Sequence, residues 1–555
     1  MSLRGTNGDL AVLRKARGAF FTPPELCDHV VDWAIRAKDE KVLEPSCGEA
    51  AFLLSAGNRL RRLGASPASQ EALHGVEVHA ASATYARDAL RTIGFESSIE
   101  TADFFDVEPA PIYDAVVGNP PYVRYQDFAG EARARGRAAA LRAGVPLTGL
   151  ASSWAAFVVH ASLFLKPEGR LGLVLPAELL TVNYAAEVRR YLMQRFATVR
   201  LVLFTERVFP GVLEEVVLLL AEGVGPTEHC DLYQVRDLAE LSAVGQVSRR
   251  WKPERPDAKW TPSLLSSSAL DVYATLASNE GFTTLNSWGD TTLGMVTGNN
   301  RFFALSPQRA ADLGLWKRDL IALSPPGSRH LRGLTFSELA WEELGGAGRA
   351  TLLFRPSGKP SKAGEAYIKA GEAIDVHKAY KCRVRTPWWR VPLVSPAALL
   401  LTYMNADTPR LCANRGAVHH LNSVHGLYLR PGMRRTGMDL LPLASLNSMT
   451  LLGAETVGRA YGGGMLKLEP GEANDLPVPT KATLEAFSTE LSALRPQMAR
   501  DLRNGSLMKA VRLVDDVLLV TGLGLSRAHV RELRDAHAEL TARRKARGAA
   551  PHVAD

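Results

Sequence analysis

The chain has 555 residues, of which 46% are hydrophobic and 22% charged, with a formal net charge of +8. This ordinary globular usage excludes a collagen-like, coiled-coil or wholly disordered protein, and the length predicts two to four domains. Cys27, Cys47, Cys230, Cys382 and Cys412 are scattered without a CxxC pair, which excludes a disulfide scaffold and a zinc-finger module and leads us to expect a cytoplasmic protein. No apolar run reaches the roughly 18 residues of a membrane span, and the N-terminal stretch carries no export signal, so no membrane partner is expected.

The first 224 residues alternate β-branched runs with amphipathic stretches. Strands are predicted at Lys41–Leu43, Leu73–Val78, Ser98–Ala102, Tyr113–Val117, Arg170–Leu175, Val199–Phe204 and Val216–Ala221, with helices between most of them, such as Pro24–Arg36 and Ala51–Leu63. Strands alternating with helices imply an α/β fold with a mostly parallel, Rossmann-like sheet covered on both faces. The last two strands are too close for a helical crossover and should pair antiparallel. Near residue 225 the alternation is lost and Pro, Ser and Trp increase, so residues 1–224 are read as one domain. Residues 225–480 read as a mixed α+β domain of short strands and turns, and residues 481–555 as a helical C-terminal segment.

Charge is unevenly distributed. Between Lys359 and Arg435 there are 13 Lys or Arg against 4 Asp or Glu, an excess of +9. A local excess of this size suits a polyanion.

The sharpest motif is Asn119-Pro120-Pro121-Tyr122, placed at the end of the strand Tyr113–Val117. Two successive prolines remove two backbone donors and stiffen the loop. That would hold the Asn119 carboxamide and the Pro120 carbonyl as acceptors aimed at one amine, with Tyr122 offering a flat face to a planar base. Ligands bind at such strand ends in open α/β sheets. Upstream, Leu43-Glu44-Pro45-Ser46-Cys47-Gly48-Glu49-Ala50 reads as a strand running through a small-residue loop into a helix, with Gly48 permitting close approach of a ligand. Glu77 closes the next strand, where a carboxylate can accept from both hydroxyls of a ribose. Asp103 could accept from an adenine amine while Phe104 packs on the ring. Thr22 reads as an N-cap with Pro23 in the first turn, and a helix N-terminus there would attract a carboxylate. Together these describe a pocket for an adenosine bearing an amino-acid tail. S-adenosylmethionine fits it, whereas the chain has neither the GxGxxG loop of a dinucleotide site nor the GxxxxGK[ST] loop of a nucleotide triphosphate site.

In order, FFTPP (20–24), LEPSCGEAAF (43–52), GVEV (75–78), ADFFD (102–106), GNPPYVRY (118–125) and ERVFP (206–210) resemble the motifs of the gamma-class DNA amino-methyltransferases, in which a target-recognition region follows the catalytic domain. The resemblance covers most of residues 17–222 and extends loosely to TGNNRFF (297–303) and GGGMLKLEPGEANDLPVP (462–479). It implies that Thr22 holds the methionine carboxylate of the cofactor and that Glu44 and Gly48 line its methionine end. Glu77 would take the ribose, and Asp103 and Phe104 the adenine. Asn119 and Pro120 would hold the target amine, with Tyr122 and Phe209 sandwiching a base flipped out of duplex DNA. One departure stands out: Ala50 occupies a position that is usually glycine. Were its φ positive, alanine would cost about 1 kcal/mol.

The expected reaction is direct transfer of methyl to the N6 amine of adenine. The N4 amine of cytosine is the alternative within the class. A protein-glutamine or RNA methyltransferase, or a non-catalytic DNA-binding specificity protein, are the alternatives outside it. Arg383, Arg385, Arg390, Arg410 and Arg415 are the candidate DNA contacts. His419, His420 and His425 read as ordinary loop histidines, and no metal is expected. The motifs start too early for a preceding nuclease, so a stand-alone modification enzyme is expected, monomeric on DNA, with a separate cognate restriction endonuclease as a possible partner.

Overall fold

The computed structural model describes residues 22–66, 72–206, 208–209, 215–243 and 249–548. Phe20 and Phe21, Arg207 and Pro210 of the motifs above lie outside these. The chain divides into two compact units, the first ending at Leu264 and the second beginning at Leu265.

In the first unit, among the described residues, nine strands form one sheet: β1 (Val42–Pro45), β2 (Leu73–Val76), β3 (Ser97–Glu100), β4 (Tyr113–Gly118), β5 (Leu165–Pro176), β6 (Thr198–Phe204), β7 (Val216–Glu222), β8 (Cys230–Val235) and β9 (Arg249–Trp251), in the order β3-β2-β1-β4-β5-β7-β6-β8-β9. β1 to β5 pair parallel with one another. β7 is antiparallel to both β5 and β6, as the short connection required. All seven predicted strands are present, and the α/β class holds. The last two strands lie beyond residue 225, so the boundary expected there falls inside this sheet. β8 has only three fully buried positions among its six, a pattern that gives a weak sequence signal.

The order of strands sets the site. From β1 the chain moves outward through β2 to β3, then returns to β4 on the other side of β1. β1 and β4 therefore flank the point at which strand order reverses, where a crevice opens beyond the strand ends. Helices supply the covering layers. α1 (Pro24–Ala34) buries Leu26, Cys27, Val30, Val31 and Ala34, a helical spacing that places all five on one stripe. α2 (Ala51–Arg62) buries Phe52, Leu53, Ala56 and Leu60 in the same core. α3 (Ala80–Thr92), α4 (Gly130–Arg142) and α5 (Ser153–Ser162) complete the set used below.

The second unit holds a five-stranded sheet of β10 (Gly289–Leu293), β11 (Thr335–Phe336), β12 (Leu399–Thr402), β13 (Leu411–Asn414) and β14 (Val424–Leu429), ordered β10-β14-β12-β13-β11. Leu399, Leu401, Leu411 and Leu427 of this sheet share one core with Leu484, Leu491, Met498, Val511 and Val514. The helices from Lys481 onward are thus part of this unit, several of their buried apolar residues lying in its core.

Candidate active site

The loop after β1 is built on left-handed backbone. Ser46 (φ 62°), Gly48 (φ 52°) and Ala50 (φ 64°) all have positive φ. Ala50 therefore occupies the strained conformation that its usual glycine would relieve. A Cβ placed on Gly48 would meet nothing within 4 Å, so the loop faces open space there. Glu77, at the end of β2, holds the loop: one carboxylate oxygen accepts from Gly48 N (2.9 Å) and the other from His79 N (2.9 Å). Glu44 is buried beneath, accepting from Leu53 N at 3.0 Å, and desolvation raises its pKa well above the ordinary carboxyl range. Burial likewise pushes up the Cys47 thiol, which makes it a loop filler rather than a nucleophile.

Asp103 caps the short turn that follows β3, accepting from Phe105 N at 3.0 Å, and its other oxygen lies 3.2 Å from Arg135 on α4. Phe104 departs from expectation. It is 3% exposed, with Phe157 and Phe164 stacked against it and His160 edge-on, so it belongs to the core. Val78, beside Glu77 and 58% exposed, is the apolar surface actually available there.

Across the crevice stands the asparagine corner. Tyr122 Oη donates toward Asn119 Oδ1 (2.6 Å), with Val174 O also in reach (3.0 Å). Asn119 Nδ2 donates to Thr22 Oγ1 at 3.1 Å. Thr22 does not cap the helix: Pro23 takes the N-cap position, and the buried Thr22 hydroxyl turns to Asn119 instead. Ser153 ties the corner down, with its Oγ donating to Pro121 O and accepting from Val123 N (2.9 Å), while Ser153 N donates to Val123 O (3.0 Å). The fold brings Thr22, Asn119 and Tyr122 into one hydrogen-bonded group. Phe209 is the exception: it is 3% exposed within the first core, so it offers no open face as a second stacking partner. Ser153, with Trp154, belongs to the stretch that resembles the family motifs, but its hold on the corner acts across about 30 residues and no local pattern shows it, and Arg135 has no local signal at all.

The five candidate arginines divide. Arg383 and Arg390 are exposed, the first 5.7 Å from the Tyr380 ring centroid and the second 5.9 Å from that of Trp389. Tyr380 is 63% exposed, with Lys381 Nζ also 5.4 Å from its ring. Arg415 pairs with Asp439 and remains half exposed. Two readings are corrected. Arg410 is 4% exposed, donating to Asp407 (2.9 Å) and Thr408 O (2.9 Å). Arg385 is spent on the carbonyls of Val296 and Thr297 (2.8 Å to the latter), pinning the TGNN loop. Arg410 is thus an internal brace rather than a phosphate contact, and the half-buried Arg385 is engaged in holding that loop. Among the described residues, no group of His, Cys, Asp or Glu could hold a metal ion, and no helix is long and apolar enough to cross a membrane.

A Rossmann-like sheet whose switch point carries an Asn-Pro-Pro-Tyr corner opposite a carboxylate-held glycine loop defines an amino-methyltransferase. Comparison with known proteins agrees. Residues 10–230 match the N-6 DNA Methylase family, and residues 257–519 match the Type II methyltransferase M.Eco57I, C-terminal domain. The Type II methyltransferase M.AccI of Acinetobacter calcoaceticus is 21% identical over 83% of this chain and 85% of its own length. M.XamI of Xanthomonas campestris pv. amaranthicola is 24% identical over 84% and 86%. The solved structure of the Type IIL restriction-modification enzyme MmeI shares the fold at a TM-score of 0.51 and 11% identity, covering 97% of this chain and 78% of that one. The chain thus carries an N-6 DNA Methylase domain followed by an M.Eco57I-type C-terminal domain, and the relatives it resembles are Type II methyltransferases.

Proposed function

We propose that this enzyme transfers a methyl group from S-adenosylmethionine to the N6 amine of an adenine flipped out of duplex DNA. One observation carries the reading: Asn119 Oδ1 sits at the reversal point of the sheet and already holds a hydroxyl donor at 2.6 Å, the place that an N–H donor would take.

The residues fit the cofactor. The open, left-handed loop at Gly48 suits close approach of its amino-acid tail, whose carboxylate Thr22 would help to hold. Glu77 retains lone pairs for a ribose diol, and Asp103 for an adenine amine, with Val78 as the apolar contact in place of Phe104. When bound, S-adenosylmethionine supplies an electrophilic sulfonium methyl group.

The protein's part is positioning. Asn119 Oδ1 and the Pro120 carbonyl accept the two amine hydrogens, which turns the nitrogen lone pair toward the methyl carbon. Asn119 Oδ1 and the Pro120 carbonyl would stabilise the positive charge that builds on the nitrogen as it takes the methyl group, because both acceptor bonds strengthen with that charge. One N–H proton would then pass to solvent, restoring a neutral amine. Extruding the base costs a few kcal/mol, of which stacking on Tyr122 returns about 1–3 kcal/mol. Arg383, Arg390 and Arg415, with Tyr380, would hold the duplex. A separate restriction endonuclease of the same specificity would complete the system in the cytoplasm, with the methyltransferase acting as a monomer on DNA.

Base-resolution modification sequencing of DNA from cells making the protein tests the assignment. N6-methyladenine in one short word is expected for the wild type, and none for Asn119→Ala, which should still bind S-adenosylmethionine. N4-methylcytosine would replace adenine as the target, and methylation by Asn119→Ala would overturn the role of the corner.

A further inference from the structure

We infer that Thr22 is a positioning residue that fixes which way round the Asn119 carboxamide faces and thereby couples the cofactor end of the site to the target-base end. The inference rests on the reading of Asn119 as the amine acceptor.

A carboxamide can sit in either of two orientations that differ by exchange of its oxygen and nitrogen. Only one presents oxygen to an amine; the other sets N–H against N–H and repels the base. The corner itself is stiff, but proline stiffness acts on the backbone and leaves this terminal rotation undecided. Thr22 decides it. Its Oγ1 accepts from Asn119 Nδ2 at 3.1 Å, which turns Oδ1 to the opposite side, where Tyr122 Oη lies at 2.6 Å. Thr22 is buried, so water is poorly placed to replace this bond.

A threonine hydroxyl could also act the other way, donating its one hydrogen to a carboxamide oxygen. An anionic acceptor removes that option. Charge-assisted bonds are stronger than neutral ones, so a carboxylate beside Thr22 would take the hydroxyl hydrogen and leave only lone pairs for Asn119. Loading an amino-acid tail therefore locks the orientation that accepts the target amine. The relay runs from the carboxylate to Thr22 O–H, from Thr22 Oγ1 to Asn119 Nδ2, and from Asn119 Oδ1 to the amine. Binding at either end favours binding at the other, as linkage requires.

The test measures binding by the full-length protein, using fluorescence anisotropy of an end-labelled duplex that carries the methylated word. Two non-reactive probes are added at saturation: S-adenosylhomocysteine, which keeps the carboxylate, and 5′-methylthioadenosine, which lacks it. S-adenosylhomocysteine should tighten duplex binding by about fivefold or more, and 5′-methylthioadenosine should not. The gain should vanish when purine, without the 6-amino group, replaces the target adenine. Thr22→Val should bring the ratio close to one, and Thr22→Ser should restore it. Thr22→Ala serves as the hydroxyl-free variant should valine crowd the corner. An undiminished ratio in the hydroxyl-free variants, equal ratios for the two probes, or no coupling in the wild type would overturn the relay. Transfer by Asn119→Ala would instead overturn the reading on which it rests.

Discussion

The Tyr122 hydroxyl donates to the Asn119 carboxamide oxygen at 2.6 Å, so the ring expected to stack on a base also occupies the acceptor that the base requires. Without DNA this keeps a half-buried oxygen satisfied. With DNA, the target amine has to displace the hydroxyl.

Tyr122→Phe keeps a ring face and removes the competitor. A neutral hydrogen bond is worth about 0.5–1.5 kcal/mol net, so this variant should bind a duplex with a mismatched target adenine roughly two- to tenfold more tightly, as read by anisotropy. Weaker binding would show that the hydroxyl helps the base rather than competing with it. Tyr122→Ala should lose more turnover on a paired target than on a mismatched one.

The arginines should separate by readout. Replacing Arg383 and Arg390 with Ala should weaken DNA binding and flatten its salt dependence, by about one unit of slope for each phosphate that is no longer neutralised, with the melting temperature unchanged. Arg410→Ala should do the reverse: it removes a buried side chain together with its bonds to Asp407 and Thr408 O and should destabilise the fold by about 1–3 kcal/mol in chemical denaturation. An Arg410→Ala protein of normal stability but weak DNA binding would return that residue to the interface.

Burial holds the imidazoles of His330 and His420 near pKa 4, below the ordinary value of 6.5. The native state thus resists a proton that the unfolded chain accepts. Stability from these groups is full above about pH 6.5 and is lost as pH falls toward 4, at up to about 1.4 kcal/mol per pH unit per group. Melting temperatures measured across this window should fall with acid, and His420→Leu should shallow the slope. A slope unchanged by that substitution would count against a neutral buried His420.

Ala50 has φ 64° with φ-positive neighbours two and four residues before it. Ala50→Gly should relieve about 1 kcal/mol of backbone strain. A higher melting temperature and tighter S-adenosylhomocysteine binding by calorimetry are expected. A lower melting temperature would mean that restricting the unfolded chain outweighs the strain.

Much of this was legible in the residues. β-branched runs announced the strands because a parallel sheet buried on both faces demands them, and Asn119-Pro120-Pro121-Tyr122 announced the corner because few other reasons place two prolines at a strand end. Exposure was not legible. Phe104 and Phe209 sit beside motif residues, yet the stacking of Phe157 and Phe164 and the closing of the first core decide where those rings go. Arg410 lies in a basic stretch, and only the fold reveals that Asp407, three residues away, claims it. Thr22 and Asn119 are 97 positions apart, and no spacing rule connects them.

The knot that Ser153 ties with Pro121 and Val123 closes the intervening stretch, α4 included, into a loop whose two ends are fastened at one place. Lengthening or trimming such a loop moves its tip and spares its root. The exposed residues of that stretch, away from the buried Gly136, Ala139 and Ala140 of α4 and from Arg135 on Asp103, are therefore where an inserted or foreign segment leaves the catalytic corner undisturbed.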